Sequence, residues 1–257
     1  MEFHTHVPAE PLSAFVDLMW IAEGYAAPHA RERVLPTGSM DLVIGFGDDD
    51  PVGSAIAGAR SEFFVLDTSK PFSVIGVRFA IGGGCAFFDP PAGELHNLSV
   101  PLDCVWGRSF VSILREQLME APTPTAKFQI LENALRRNLR GRWTHPAVFS
   151  ALRAFSVTRF RSVGPVTEQI GMSPRRFAEV FRNQVGLTPK LLCRIKRFQR
   201  VLDAVDTPRD IDWVDIALRC GYFDQPHFIH DFRAFSGMTP TAYLQQRIHR
   251  HHVPISL

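Results

Sequence analysis

The chain repeats itself, and the repeat limits what its second half can be. Gly186-Leu187-Thr188-Pro189 recurs 51 positions later as Gly237-Met238-Thr239-Pro240. The same shift lays Phe181-Arg182 on Phe232-Arg233 and Phe177 on Phe228. A shift of 50, one residue fewer, lays Gly171 on Gly221, Ile170 on Cys220 and Val166 on Ile216. A helix-turn-helix-sized unit thus occurs twice, with one extra residue in the second turn.

The first unit runs from about Pro165 to Val185. Val166 and Ile170 anchor a short helix that Gly171 ends. Ser173 suits an N-cap and Pro174 a first helical position. Phe177, Val180 and Phe181 face inward; Arg175, Arg176, Glu179 and Arg182 face out. In a helix-turn-helix the start of the second helix enters the major groove. Arginines there oppose the helix dipole, so something other than helix stability favours them. A bidentate arginine–guanine contact discriminates bases by about 1–3 kcal/mol.

In the second unit Trp213, Ile216, Ala217 and Cys220 form the first helix's apolar face, and Gly221 makes the turn. Phe228, Phe232 and Phe235 anchor the next helix, with Gln225, His227, His230 and Arg233 outward. Asp231 stands where the first copy has Val180, at the edge of the buried face. A carboxylate near phosphate is unfavourable, so this head is expected to bind less tightly. His227 and His230 are spaced for a metal but lack a clear third ligand. The candidate DNA-contacting residues are therefore Ser173, Arg175, Arg176, Glu179 and Arg182, then Gln225, His227, His230 and Arg233.

Between the heads, Leu191, Ile195, Phe198, Leu202 and Val205 make one helical stripe, decorated by Lys190, Arg194, Lys196, Arg197 and Arg200. A helix over Pro189–Val205 spans about 25 Å. With part of a helix width at each end, that approaches the roughly 34 Å of one DNA turn. Such a spacer can set two recognition helices in successive major grooves.

Charge agrees. Residues 145–257 hold 16 Lys+Arg against 9 Asp+Glu, net +7; residues 1–144 hold 12 against 17, net −5. A basic half suits a polyanion. The sequence has no apolar run of about 18 residues, so no membrane span is expected. It opens without a basic-then-apolar leader, so a cytoplasmic protein is expected. Cys85, Cys104, Cys193 and Cys220 are far apart, as expected of reduced thiols.

Residues 1–80 read as β-rich: Leu18–Ala22, Asp41–Phe46, Phe63–Leu66 and Phe72–Phe79 are short apolar runs between turn residues. Arg33–Leu42 reads as strand, turn, strand, and the set suggests a small barrel or sandwich. Ile81-Gly82-Gly83-Gly84 lacks the rest of a phosphate loop and reads as a plain turn. Phe110, Ile113, Leu114, Leu118 and Met119 then recur at helical spacing. A break at Pro122 and Pro124 and a second helix over about Ala126–Arg140 complete a hairpin, with Phe128, Leu131, Leu135 and Leu139 on one face and Gly141 as its C-cap. The hairpin packs on its own domain or forms a dimer interface. Gly141–Thr144 is the expected boundary, giving a front domain over 1–140 and a second over 145–257. Pro146, Val148, Leu152 and Phe155 begin the latter.

Over about 145–247 the chain resembles the DNA-binding domain of AraC/XylS-type transcriptional regulators. The carriers are Gly171-Met172-Ser173-Pro174-Arg175, Phe181-Arg182, Gly186-Leu187-Thr188-Pro189, Ile216-Ala217, Gly221-Tyr222, Asp224-Gln225-Pro226-His227-Phe228, and Phe232-Arg233 with Gly237-Met238-Thr239-Pro240. The resemblance implies two helix-turn-helix units joined by a helix, with base-reading positions at Arg175, Ala178 and Glu179, then Pro226, His227 and His230. Members often carry a basic residue where Glu179 and His230 stand. The front half is similar, more loosely, to the N-terminal domain of some of these regulators, at Leu35–Leu42, Gly76-Val77-Arg78-Phe79 and Pro101-Leu102-Asp103 with Trp106-Gly107. That implies a cupin-like sensing domain and an α+β chain overall: a β-rich domain with a helical hairpin, then an all-α domain.

A cupin-like front half raises a rival, a metal-dependent enzyme fused to a DNA-binding domain. His4-Thr5-His6 with Glu10 spells HxHxxxE, and Pro91-Ala92-Gly93-Glu94-Leu95-His96 spells PxGxxH. Two histidines and a carboxylate suit a first-row metal. Against this, no strand precedes His4 and His6 to hold them, and the first motif lacks its following glycine. The expectation is a regulator, not an enzyme, with no cofactor and no metal. Its expected partners are double-stranded DNA, RNA polymerase, a small-molecule effector and a second copy of the chain. Trp20, Phe46, Phe64 and Phe79 are expected to line the front domain's interior.

Overall fold

The structure is a computed structural model and describes residues 2–46, 53–141, 144–156, 171–206 and 211–255. The first helix of the first head, at Val166–Ile170, lies outside them.

The front domain is rich in sheet. Strands β1 (Glu2–His6), β2 (Val16–Tyr25), β7 (Phe72–Phe79), β4 (Asp41–Phe46), β5 (Ser54–Ala57) and β8 (Ser99–Pro101) form a six-stranded sheet in that spatial order, all antiparallel. Side chains alternate across it as the period-2 geometry requires. Met19 and Ile21 of β2 join Leu42, Ile44, Ile75, Val77 and Phe79 in the main core. Trp20 points the other way, into a small cluster with Ala22, Phe72 and Val74. It lies on Gly76, where a Cβ would come within 2.3 Å of the indole. The four aromatics expected around one interior are therefore divided. Phe46 and Phe79 are in the main core, Trp20 is on the opposite face, and Phe64 lies under the Arg60 guanidinium on a second sheet.

That second sheet has the order β6 (Phe64–Asp67), β3 (Arg31–Val34), β9 (His252–Pro254). Strand β9 comes from the far end of the chain, pairing Glu32 with Pro254 and Val34 with His252. The second half is thus not purely helical, and it completes a sheet of the first.

After a single turn, α1 (Asp103–Trp106), the hairpin consists of α2 (Arg108–Glu120) and α3 (Pro124–Asn138). The prolines break it as expected, and Pro124 also starts α3. It occupies the first turn behind Thr123, whose hydroxyl accepts from the Ala126 amide at 3.2 Å. The inward stripe of α2 is Val111, Leu114 and Leu118, whereas Ile113 and Met119 are half exposed. Helix α3 ends at Asn138 with Leu139 as its cap, short of Gly141.

The helical half comprises α4 (Pro146–Ser156), α5 (Pro174–Val185), α6 (Pro189–Ala204), α7 (Trp213–Cys220), α8 (Gln225–Ser236) and α9 (Pro240–Gln246). Each Gly-x-Thr-Pro is a stop followed by a start. Gly186 and Gly237 end α5 and α8 at φ +87° and +71°. Thr188 and Thr239 then cap α6 and α9 through Leu191 N and Ala242 N, with proline in the first turn. The spacer α6 is buried more widely than a single stripe, at Leu192, Ile195, Phe198, Val201 and Leu202. It has neighbours on two sides. Gly38 of the front domain sits over Leu192 and Ile195, and the Gln199 amide donates to Pro36 O at 2.6 Å. Opposite, Phe198 meets Phe232 and Phe235 at 5.2 and 5.3 Å between ring centres. One continuous core runs through both halves.

Candidate nucleic-acid interface

In the first head, the Ser173 hydroxyl is taken up as N-cap of α5, accepting from the Arg176 amide at 3.3 Å. Phe177, Phe181 and Val185 fix the inner face. Arg175, Arg176 and Glu179 are exposed. Arg176 Nη1 donates to Glu179 Oε2 at 2.9 Å, a one-turn pair that partly offsets its charge. Arg182, on the same helix, lies against the front domain: a Cβ on Gly93 would come 3.0 Å from its Cγ.

In the second head, Asp212 caps α7 through Val214 N and Asp215 N, and Gly221 turns the chain at φ +91°. Asp224 then caps α8, its carboxylate accepting from the His227 amide at 2.8 Å. Trp213 stacks on Phe228 at 5.7 Å. Gln225, His230 and Arg233 are exposed. His227 is half buried, edge-on to Tyr222 at 5.3 Å.

Asp231 overturns one expectation. It is 1% exposed and faces the spacer helix. Its Oδ1 accepts from Arg194 Nη2 at 2.7 Å and Nε at 3.2 Å, and its Oδ2 lies 3.7 Å from Arg197 Nη2. A weaker second head therefore cannot be argued from this carboxylate. Arg197 also lies over the Tyr222 ring at 5.2 Å and reaches Gly221 O. Burial pushes the Lys196 ammonium below its ordinary value, near Asp17 of the front domain. Of the basic side chains on the spacer, Arg194 and Arg197 thus brace the second head and Lys196 sits partly buried at the junction.

The front domain meets both heads, a contact that no local sequence pattern marks. At Gly186 a Cβ would come 3.1 Å from both Ala59 Cβ and Ala92 O. At Gly237 it would come 2.5 Å from Phe63 Cε1. The segment 59–63 therefore touches the end of each recognition helix, helped at the first by the short turn Ala92–Glu94. Both glycines are already required for their positive φ, so nothing in the sequence marks this second use.

Two histidines of the rival metal motifs have other partners. His4 and His6 are held on β1 itself, and His6 Nε2 is 2.6 Å from Glu132 Oε1 of α3. His96 pairs with the Ser61 hydroxyl at 3.0 Å. Among the described residues no group of three or more His, Cys, Asp or Glu is placed to hold a metal ion. No helix among them is long and apolar enough to cross a membrane.

Residues 166–246 match a family described as a helix-turn-helix domain, and residues 4–101 match a domain of unknown function, DUF6597. No curated protein matches the chain. Among solved structures, ToxT from Vibrio cholerae is similar. An apo variant from strain SCE256 has a TM-score of 0.46 at 12% identity, covering 88% of this chain and 97% of that one. A P21 form has 0.44 at 12%, covering 95% and 98%. ToxT of strain O395 bound to (E)-4-(8-methylnaphthalen-1-yl)but-3-enoic acid has 0.45 at 9%, covering 95% and 99%.

Helix-turn-helix geometry behind a sheet-rich front domain defines a DNA-binding transcriptional regulator. More narrowly, residues 166–246 carry the helix-turn-helix domain and residues 4–101 the sheet-rich domain in front of it.

Proposed function

We propose that the chain reads one duplex sequence by placing α5 and α8 in successive major grooves, and that its front part, 1–140, sets how the two heads of 145–257 stand. Arg175 carries the main base contact of the first head. Arg176 and Glu179 flank it, with Ser173 closest to the backbone, while Arg182 packs on the front domain at the far end of α5. In the second head Gln225 and His230 face the bases, with Arg233 toward phosphate and His227 at the edge. The spacer supports the geometry: its 16 residues span about 24 Å.

Regulation rests on one observation, the contact of segment 59–63 with the ends of both recognition helices. An effector that moves this segment alters both heads together, and shifts the equilibrium only by its differential affinity for the two arrangements. A second copy of the chain docks through the hairpin, where Ile113 lines a groove of about 530 Å³ with Phe110, Pro122 and Ile130. RNA polymerase is the partner at a promoter, and the cytoplasm is the compartment.

Selection of bound sequences from a random duplex pool by the full chain tests the reading. The expected result is two conserved elements about one helical turn apart, some 10–10.5 base pairs centre to centre. A single element, or no enrichment, overturns it. Phe63→Ala is expected to change affinity for the selected site without changing its sequence.

A further inference from the structure

The extra residue of the second turn can be identified. The glycines Gly171 and Gly221 are 50 apart, and the caps Ser173 and Asp224 are 51 apart. Met172 alone fills the first gap, whereas Tyr222 and Phe223 fill the second. Tyr222 is buried at 3% exposure. Phe223 is 86% exposed, the most exposed large apolar side chain among the described residues.

Its position makes that exposure informative. Phe223 directly precedes the N-cap of α8, where an apolar side chain ordinarily folds back on the fourth helical residue. Here that residue is Phe228, already covered by Tyr222 at 5.4 Å and by Trp213 at 5.7 Å. Phe223 is turned outward and left without an internal partner. Leaving a phenyl ring in water forgoes the hydrophobic stabilisation that burial would supply. Beside it, the first turn of α8 presents Gln225, Pro226 and the half-buried His227. The adjacent Asp224 carboxylate is turned inward onto the His227 amide. An outward ring thus stands at the end of the helix that enters the groove. The other exposed apolar side chains of this head, Val214 and Leu218, are on α7, the helix that in such a unit crosses the backbone.

Resting on the two-head reading above, we infer that Phe223 is a base-reading residue of the second head, its ring packing on the C5-methyl of a thymine in the major groove. A thymine methyl is the apolar feature that the groove offers, and phenylalanine is among the side chains that take it. The second head then adds an apolar contact to its polar readers Gln225 and His230, where the first head relies on arginine.

The test uses the full chain, its selected duplex, and copies in which each thymine under the second head is replaced singly by deoxyuridine, which removes the methyl alone. The wild-type protein is expected to bind about fourfold more weakly at one such position, as for the burial of one methyl-sized group. Phe223→Ala is expected to bind the parent duplex about that much more weakly and to ignore the deoxyuridine change, while Phe223→Leu keeps part of the sensitivity. Unchanged thermal unfolding confirms that an exposed side chain was removed without damage to the fold. If wild type and Phe223→Ala respond alike to every deoxyuridine, the inference is overturned. If Phe223→Ala binds DNA normally but supports less transcription with RNA polymerase, the ring is a protein contact and the inference is again overturned. A wild-type protein with no sequence-specific binding at all would instead overturn the two-head reading.

Discussion

The two heads share one set of helix caps and differ in what holds them. Helix α5 leans on the front domain, with Gly186 seated against Ala59 and Ala92, and Arg182 lying along Gly93. Helix α8 also touches the front domain, at Phe63, but it is fastened to the spacer by the buried Asp231 and two arginines. The difference teaches that a duplicated motif fixes local geometry and leaves the anchoring free to diverge. The first head is placed to follow the front domain, and the second to follow the spacer.

The largest expected effect comes from breaking the second anchor. Asp231→Ala leaves two arginine side chains, 31% and 20% exposed, without their carboxylate. The cost should be about 3 kcal/mol, the low end for removing one partner of a buried pair, because the arginines can still reach water. In denaturant unfolding with hydrogen exchange, α8 should lose protection before α5. Equal loss in both heads would abolish the distinction.

Next come the glycines. Gly186→Ala and Gly237→Ala should each cost about 1–2 kcal/mol from their left-handed backbone alone. The second also drives a Cβ into the Phe63 ring at 2.5 Å, whereas the first meets the Ala92 carbonyl. Adding Phe63→Ala should relieve part of the Gly237→Ala defect and none of the Gly186→Ala defect, as read by thermal unfolding.

On DNA, Arg175→Ala should cost about 1–3 kcal/mol at one base position of the selected site. His230→Ala should cost less, and a reversed order would make the second head the principal reader. A uniform loss across all sequences would make Arg175 a phosphate contact.

Near neutrality the smallest change comes from pH. Burial pushes the His251 imidazole down to about 3, so the folded chain keeps it neutral where the unfolded chain would take up a proton. Its contribution is whole above about pH 6.5 and drains away as pH falls toward 3. Burial alone would raise Glu32, but hydrogen bonds from His252, His29 and Tyr25 hold it below its ordinary value, so its contribution too is lost in acid. Glu32 holds β9 through His252, and His251, just before the strand, is tied to Gln199 of the spacer at 2.7 Å. Stability should therefore fall on acidification below pH 6.5, and His251→Asn should flatten that slope. An unchanged slope would separate the strand's attachment from this histidine.

What could be read in the sequence was local. The caps at Ser173 and Asp224, the glycine stops and the phenylalanine stripes specify α5 and α8 without reference to anything distant. What could not be read depended on remote partners. The periodicity of α2 established a helix, but the sheet and α3 select Val111 as the inward residue and leave Ile113 and Met119 out. Asp231 sits at a position that is apolar in the first copy, and only the approach of Arg194 and Arg197 makes it a buried anchor. Strand β9 is three residues long, and its side-chain link to Glu32 spans 220 positions. No short window carries such a signal.

That strand also sets an order of assembly. The second, three-stranded sheet begins at Arg31 and receives its last strand only after both heads have been synthesised. During translation the edge of β3 waits open, with the Glu32 carboxylate lacking its His252 partner. A product stopping short of His252 would keep that edge exposed, ready to pair with strands of other molecules. A small sheet begun early in the chain is thus finished last, and an unfinished chain is distinguished from a finished one by an open edge.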